Sequence, residues 1–261
     1  MRPMTAELHT ALVQASTRWH QPAANREMFG RMLQGVGDGT DLVALPEMFS
    51  TGFTMSSVDV AETMTGETVS WLRDMAADLR TTITGSLVVR DRGYFNRLIW
   101  MPPDGGETVY DKRHLFRMAG EHEHYAAGNL RVVVRIGAWR VLPCVCYDLR
   151  FPVWLRSCND YDVLLCVANW PAARQSAWNA LLRARAIENQ CYVVGVNRVG
   201  TDGNGVDYRG GSAVYDFEGR AMVEAFDDEL VLNATLNLDE LDAYRERFPA
   251  WRDADEFEVA P

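Results

Sequence analysis

Leu8-His9-Thr10-Ala11-Leu12-Val13-Gln14 reads as a short strand, and the segments after it set the fold class. Pro22 opens a helical stretch in which Met28, Phe29, Met32 and Leu33 recur on one face, until Gly35, Gly37 and Gly39 stop it. The cycle then repeats. Asp41 to Leu45 is a compact apolar strand, and Glu67 to Leu79 places Val69, Leu72, Met75, Ala76 and Leu79 along one side of a second helix. Two strand-helix units in succession predict a layered α/β protein.

Outward from these units the pattern turns β-rich. Thr82 to Val89, Tyr94 to Met101 and Glu107 to Tyr110 read as strands separated by hairpin punctuation at Arg92-Gly93 and at Pro102 to Gly106. Arg131 to Ile136 and Trp139 to Cys146 pair around Gly137, Pro152 to Cys158 reads as a helix, Asp162 to Ala168 as a buried strand, and Ser176 to Gln190 as a strong helix. Cys191 to Asn197, Ser212 to Tyr215, Ala221 to Glu224 and Leu230 to Leu236 complete a mixed sheet system. So many strands, with helices to spare, predict two stacked sheets covered by helices on both outer faces. No linker or fixed-period repeat divides the chain, so residues 1–261 are expected to form a single domain. Residues 247–261 read as a C-terminal tail that packs on a neighbouring subunit or frays.

Composition narrows the partners. The 261 residues are 48% hydrophobic and 24% charged, as in ordinary globular chains. A formal net charge of -10 disfavours nucleic acid and anionic membrane. The expected partner is a small molecule, or another protein. Cys144, Cys146, Cys158, Cys166 and Cys191 are odd in number and mostly lie in apolar runs, which predicts free thiols in a reducing, cytoplasmic setting. No signal peptide or membrane-spanning stretch is expected.

Three residues stand just past strand ends, the side on which α/β layers bind ligands. Cys146 closes the strand Val141-Leu142-Pro143-Cys144-Val145-Cys146 and precedes Tyr147-Asp148-Leu149-Arg150-Phe151-Pro152. A strand-to-helix turn there would expose the thiol beside backbone N–H groups that can lower its pKa and bind an oxyanion; the competing reading is a buried core cysteine, which Cys144 shares. Glu47, within Leu45-Pro46-Glu47-Met48-Phe49, is either a general base raised by burial or a solvated loop acid. Lys112, in Tyr110-Asp111-Lys112-Arg113-His114-Leu115-Phe116, is by itself an ordinary surface charge.

Together the three segments resemble the nitrilase superfamily of carbon-nitrogen hydrolases, whose Glu-Lys-Cys triad occurs in this chain order. The resemblance runs from Leu8 to about Leu236 and includes Ala168-Asn169-Trp170-Pro171, the Arg183 to Gln190 helix and Arg209-Gly210-Gly211-Ser212. It implies a four-layer α-β-β-α sandwich, with Glu47 as general base, Lys112 as the cation that steadies a tetrahedral intermediate, and Cys146 as nucleophile. The Tyr147 N–H would join Lys112 in receiving the oxyanion. A second acid is implied after the lysine, with Glu121 the better match and Glu123 its competitor. The phrases around Lys112 and Cys146 look most similar to bacterial omega-amidases, which hydrolyse the terminal amide of 2-oxoglutaramate or 2-oxosuccinamate. The resemblance also implies a homodimer, with Phe151 to Trp154 and Phe248 to Trp251 as candidate surfaces.

The remaining candidates are read from their positions. Arg174 follows a strand end, where a guanidinium can hold a substrate carboxylate or simply face solvent. Phe116, Tyr125, Phe151 and Trp170 can wall a pocket or pack in the core. Arg183 and Arg185 read as surface or ion-pairing residues. His114, His122 and His124 with Glu121 and Glu123 lack the spacing of a metal site, and no cofactor is expected. Another amidase or N-carbamoyl hydrolase of the superfamily, a silent metabolite-binding protein and a thiol redox protein using Cys144 and Cys146 are the competing functions. The last lacks Cys-x-x-Cys geometry.

Overall fold

The computed structural model describes residues 6–255 and 257–258. In chain order the strands are β1 (Glu7–Gln14), β2 (Leu42–Ala44), β3 (Thr82–Arg90), β4 (Tyr94–Met101), β5 (Thr108–Asp111), β6 (Val134–Ile136), β7 (Trp139–Val145), β8 (Val163–Val167), β9 (Tyr192–Val196), β10 (Val199–Thr201), β11 (Asp207–Arg209), β12 (Ala213–Tyr215), β13 (Ala221–Glu224) and β14 (Leu230–Asn237). The helices are α1 (Pro22–Leu33), α2 (Ser57–Val60), α3 (Glu67–Leu79), α4 (Glu121–His124), α5 (Pro152–Leu155), α6 (Gln175–Asn189) and α7 (Leu238–Arg247).

Two six-stranded sheets form, in the orders β14-β1-β2-β3-β4-β5 and β13-β12-β9-β8-β7-β6, and β10 and β11 make a separate hairpin. The central strands of both sheets pair in parallel, β1 with β2 and β2 with β3, β7 with β8 and β8 with β9. Antiparallel strands flank them on both sides. Because side chains alternate along a strand, each central strand feeds two apolar layers. Leu8, Leu12, Leu42 and Ala44 meet Val141, Val163, Leu165 and Val194 between the sheets. Ala11, Val13, Val43 and Ile83 point the other way, onto Phe29 and Leu33 of α1 and Val69, Leu72 and Ala76 of α3. Leu142, Cys144, Leu164, Cys166 and Val193 face Trp178, Leu182 and Ala186 of α6. The result is the α-β-β-α sandwich. No helix among the described residues is long and apolar enough to cross a membrane.

Several local expectations change. The helix expected over 152–158 is one turn, α5, preceded by a 3-10 turn at Cys146–Arg150. The Ser157 and Asp160 side chains bind the nearby backbone N–H groups of Asn159 and Cys158, which ends the helix early. The strand expected from Arg131 shrinks to β6. Helix α7 is absent from the expectations above, although Asn237 accepts from Glu240 N at 3.1 Å as its N-cap and Asn-x-x-Glu is a legible start signal. Of the two readings of Arg185, the ion pair is the one that forms: its Nη1 meets Glu188 Oε1 at 2.8 Å, but the residue is 4% exposed rather than on the surface, and its Nε and Nη2 donate to Leu149 O at 3.1 and 2.7 Å. The expected tail is partly ordered, since Gln190 Nε2 donates to Phe248 O at 2.7 Å and Gln190 Oε1 accepts from Trp251 N at 3.2 Å. Residues 256 and 259–261 lie outside the described residues.

Candidate active site

Strand ends bring the candidate residues together. The loop after β2 is pressed onto β3 by backbone bonds from Leu45 N to Thr84 O and Phe49 N to Ser86 O. Gly85 permits this contact, because a Cβ there would lie 2.9 Å from Leu45 Cβ and Phe49 Cδ1. Glu47 is thereby buried at 0% exposure. Lys112 follows β5, and its ammonium contacts Glu47 Oε1 at 2.9 Å and Glu121 Oε1 and Oε2 at 3.0 and 2.9 Å. Three oxygens answer its three protons. Glu121 opens α4 and is also fixed by the Phe116 N–H at 2.5 Å, whereas Glu123 on the same turn is exposed. The structure therefore brings in Glu121 and leaves Glu123 out.

Cys146 sits directly after β7 with φ of 48°, a left-handed conformation that L side chains adopt at a cost. Its Sγ lies 3.8 Å from Asn169 O. Asn169, at the end of β8, donates its N–H to Glu47 Oε2 at 2.8 Å and its Nδ2 to Glu47 O at 2.6 Å. The thiol does not have the lowered pKa expected of a helix start. Burial pushes it well up, the neighbouring Glu47 charge adds to this, and the Lys112 ammonium opposes it only in part. Burial also works against the Lys112 charge, but Glu121 and Glu47 outweigh it and raise that pKa well above the ordinary value. Glu121 is raised, chiefly by burial and then by Glu47, despite Lys112.

Above Cys146 opens a cavity of about 530 Å³ whose wall includes Phe116, Tyr147, Arg150, Trp170, Arg174 and Tyr208. Arg174 stands over Phe116, with Cζ 5.1 Å from the ring centroid, and Arg150 over Trp170 at 4.9 Å. Among the described residues neither guanidinium pairs with a carboxylate. Sequence reasoning missed Arg150 as a pocket residue; its place four residues after the cysteine, at the end of the turn, was the available signal. It missed Tyr208 on the β10–β11 hairpin as well, because short polar strands leave little periodicity to read. Phe151 and Tyr125 stand behind the wall: Phe151 stacks on His114 at 3.7 Å, and Tyr125 OH donates to Thr54 O at 2.6 Å. His114 is held by Asp148 Oδ1 at 2.8 Å from its Nδ1.

A buried acid, ammonium and thiol meet at the strand ends of a four-layer sandwich, the arrangement that the resemblance to carbon-nitrogen hydrolases implies. The carbon-nitrogen hydrolase profile matches residues 9–246, and the chain belongs to that family. It is 48% identical to the omega-amidase YafV of Escherichia coli (strain K12) over 254 residues, covering 97% of this chain and 98% of that one. The 2-oxoglutaramate amidase of Bacillus subtilis (strain 168) is 29% identical, over 92% of this chain and 95% of its own. A CN-hydrolase superfamily protein of Xanthomonas campestris, solved with an arsenic adduct in its active site, superposes with a TM-score of 0.95. It is 50% identical, over 97% of this chain and 99% of that one.

Proposed function

We propose that this chain is an omega-amidase that hydrolyses the terminal amide of a short 2-oxo acid, 2-oxoglutaramate or 2-oxosuccinamate, by a cysteine thioester route. The observation that carries the reading is the meeting of Glu47, Lys112 and Glu121 beside Cys146 on the floor of a cavity that also holds Arg150 and Arg174. Glu47 Oε1 already accepts from Lys112 and Asn96, while Oε2 has one donor and keeps capacity for the thiol proton. Glu47 takes that proton as Sγ attacks the amide carbonyl carbon. The oxyanion is received by the Tyr147 N–H and by Lys112, which gives up one carboxylate contact.

Collapse breaks the C–N bond, and Glu47 returns the proton to the departing nitrogen, so ammonia leaves and a thioester remains. Water, deprotonated by Glu47, adds to the thioester carbonyl; the C–S bond breaks, the sulfur regains a proton, and the carboxylic acid departs. The relatives named omega-amidase and 2-oxoglutaramate amidase support the substrate class. Arg150 and Arg174, resting on Trp170 and Phe116, suit a substrate with a carboxylate at the end opposite its amide. The same reading takes the chain as a single catalytic domain in the cytoplasm, acting as a homodimer. Val153 and Phe248, 57% and 56% exposed, lie in the segments offered for the interface. Light scattering that finds only a 29.4 kDa particle would remove the dimer.

The deciding assay is ammonia release from 2-oxoglutaramate against simple amides, N-carbamoyl compounds and nitriles, with Cys146→Ala as control. Preferential release from the oxo-acid amide that vanishes in the variant is the expected result. Undiminished release by the variant would refute the nucleophile, and a preference for carbamoyl compounds would move the substrate class.

A further inference from the structure

Asn96 on β4 and Ser86 on β3 lie behind the two carboxylates, fully buried, and the steps above make no use of the amide beyond its contact with Glu47. Asn96 Nδ2 donates to Glu47 Oε1 at 2.7 Å and to Glu121 Oε1 at 3.2 Å. Its Oδ1 accepts from the Ser86 hydroxyl at 2.7 Å, and Ser86 Oγ accepts from Met48 N at 2.9 Å. The polarity of this chain is set by the carboxylates. They only accept, so the amide aims its N–H bonds at them and turns Oδ1 to Ser86, whose hydroxyl donates to it while accepting from Met48 N. Met48 is the neighbour of Glu47, so the relay starts and ends on the loop it steadies.

The electrostatic problem at this point is plain. Two carboxylates, both 0% exposed, share one ammonium, and like charges that close drive one acid to take up a proton. We propose that Asn96, oriented by Ser86, is a positioning residue that keeps Glu47 and Glu121 ionised together on the Lys112 ammonium, so that Glu47 is available as a base. Among the described residues it is the side-chain donor besides Lys112 that reaches both acids. The other ionisable groups facing the pair are Cys146 after β7, Tyr125 after α4 and Tyr208 on β11, each of which gains negative charge on ionising and so cannot replace it.

The inference rests on the proposed use of Glu47 as base, and two readouts keep the two claims separable. The first is kcat/KM for 2-oxoglutaramate against pH, and the second is the pH dependence of iodoacetamide alkylation at Cys146, followed by peptide mass, which needs no turnover. Asn96→Ala is expected to move the acid limb of both profiles up by about one pH unit, with KM little changed. Ser86→Ala should move them in the same direction by less. A folded Asn96→Ala protein whose acid limbs coincide with wild type, even with lower activity throughout, would overturn the assignment. Should Asn96→Ala fail to fold, Ser86→Ala decides: a shifted limb supports the role and an unmoved one removes it. If the wild type releases no ammonia from 2-oxoglutaramate, the substrate reading fails while the alkylation profiles still test Asn96.

Discussion

Burial pushes the Cys146 thiol well up, so in the proposed mechanism its proton leaves as the sulfur attacks, and the role proposed for Glu47 is more exacting than it would be beside an activated cysteine. Glu47→Gln, which keeps the shape but cannot take a proton and must turn its NH₂ toward either Asn169 N or the Lys112 ammonium, should lower kcat by roughly 10²- to 10⁴-fold. Single-turnover acylation would locate the loss in thioester formation; a normal acylation rate in the variant would assign the base elsewhere. The role proposed for the two arginines belongs to a different step. Arg150→Ala and Arg174→Ala should each raise KM for 2-oxoglutaramate by about tenfold or more, as loss of a charged hydrogen bond does, and leave a neutral amide such as propionamide nearly unaffected. Equal losses on both substrates would mean that the guanidiniums hold the wall rather than the carboxylate.

At the scale of elements, the critical join is between the end of β5 and the end of β7, which belong to different sheets. Asp148, wholly buried in the turn after Cys146, accepts from Val145 N at 3.0 Å, Tyr110 OH at 2.8 Å and His114 N at 2.9 Å, besides the His114 ring. Tyr110 and His114 bracket Lys112, so one carboxylate ties the lysine segment to the cysteine turn. Asp148→Asn would turn an NH₂ toward at least one backbone N–H. We expect about 1–3 kcal/mol of lost stability and a fall in kcat that exceeds any change in KM, read by urea unfolding and steady-state kinetics. Much of this architecture was legible because apolar period and strand ends are local signals: Glu47, Lys112 and Cys146 each come after a strand that the residues announce. The hidden part depends on partners distant in sequence. Arg185 reads as a surface or ion-pairing cation, with nothing local to show that Leu149 O meets it in the interior, and Asp148 reads as an ordinary turn acid until β5 and the segment after it supply Tyr110 and His114. The raised thiol pKa is hidden for the same reason, since a helix-start argument counts the N–H groups but neither the burial of the thiol nor Glu47 beside it.

The whole molecule repeats itself without a repeat in its sequence. From β14 to β5 and from β6 to β13 the two sheets show the same succession of pairings, antiparallel, parallel, parallel, antiparallel, antiparallel. In this correspondence β2 matches β8, and Glu47 and Asn169, which lie just beyond them, hydrogen bond to each other across the sandwich. The site therefore forms where equivalent strand ends of both sheets face, and anything that loosens one sheet loosens the site. Helix α7 fastens the second sheet through Arg245, which is 6% exposed and bonds Asp162 Oδ1 at 2.7 Å and Tyr161 O at 2.8 Å; Arg140 holds the same acid at 2.6 Å. Burial alone would raise the Asp162 pKa, but the Arg140 side chain and backbone, followed by Arg245, hold it below the usual carboxylate range. With a folded pKa below the unfolded one, the stabilisation is fully present above the unfolded value of about 4 and is lost as pH falls through the folded value. Asp162→Asn should therefore cost about 3 kcal/mol at pH 7, a fall in Tm of roughly 5–10 °C, and the gap to wild type should narrow as pH drops below about 4. Thermal melts across about pH 3 to 7 measure this directly: a gap that stays constant would mean that shape rather than charge makes Asp162 matter, and no gap at pH 7 would mean that α7 does not need this acid to hold the sheet.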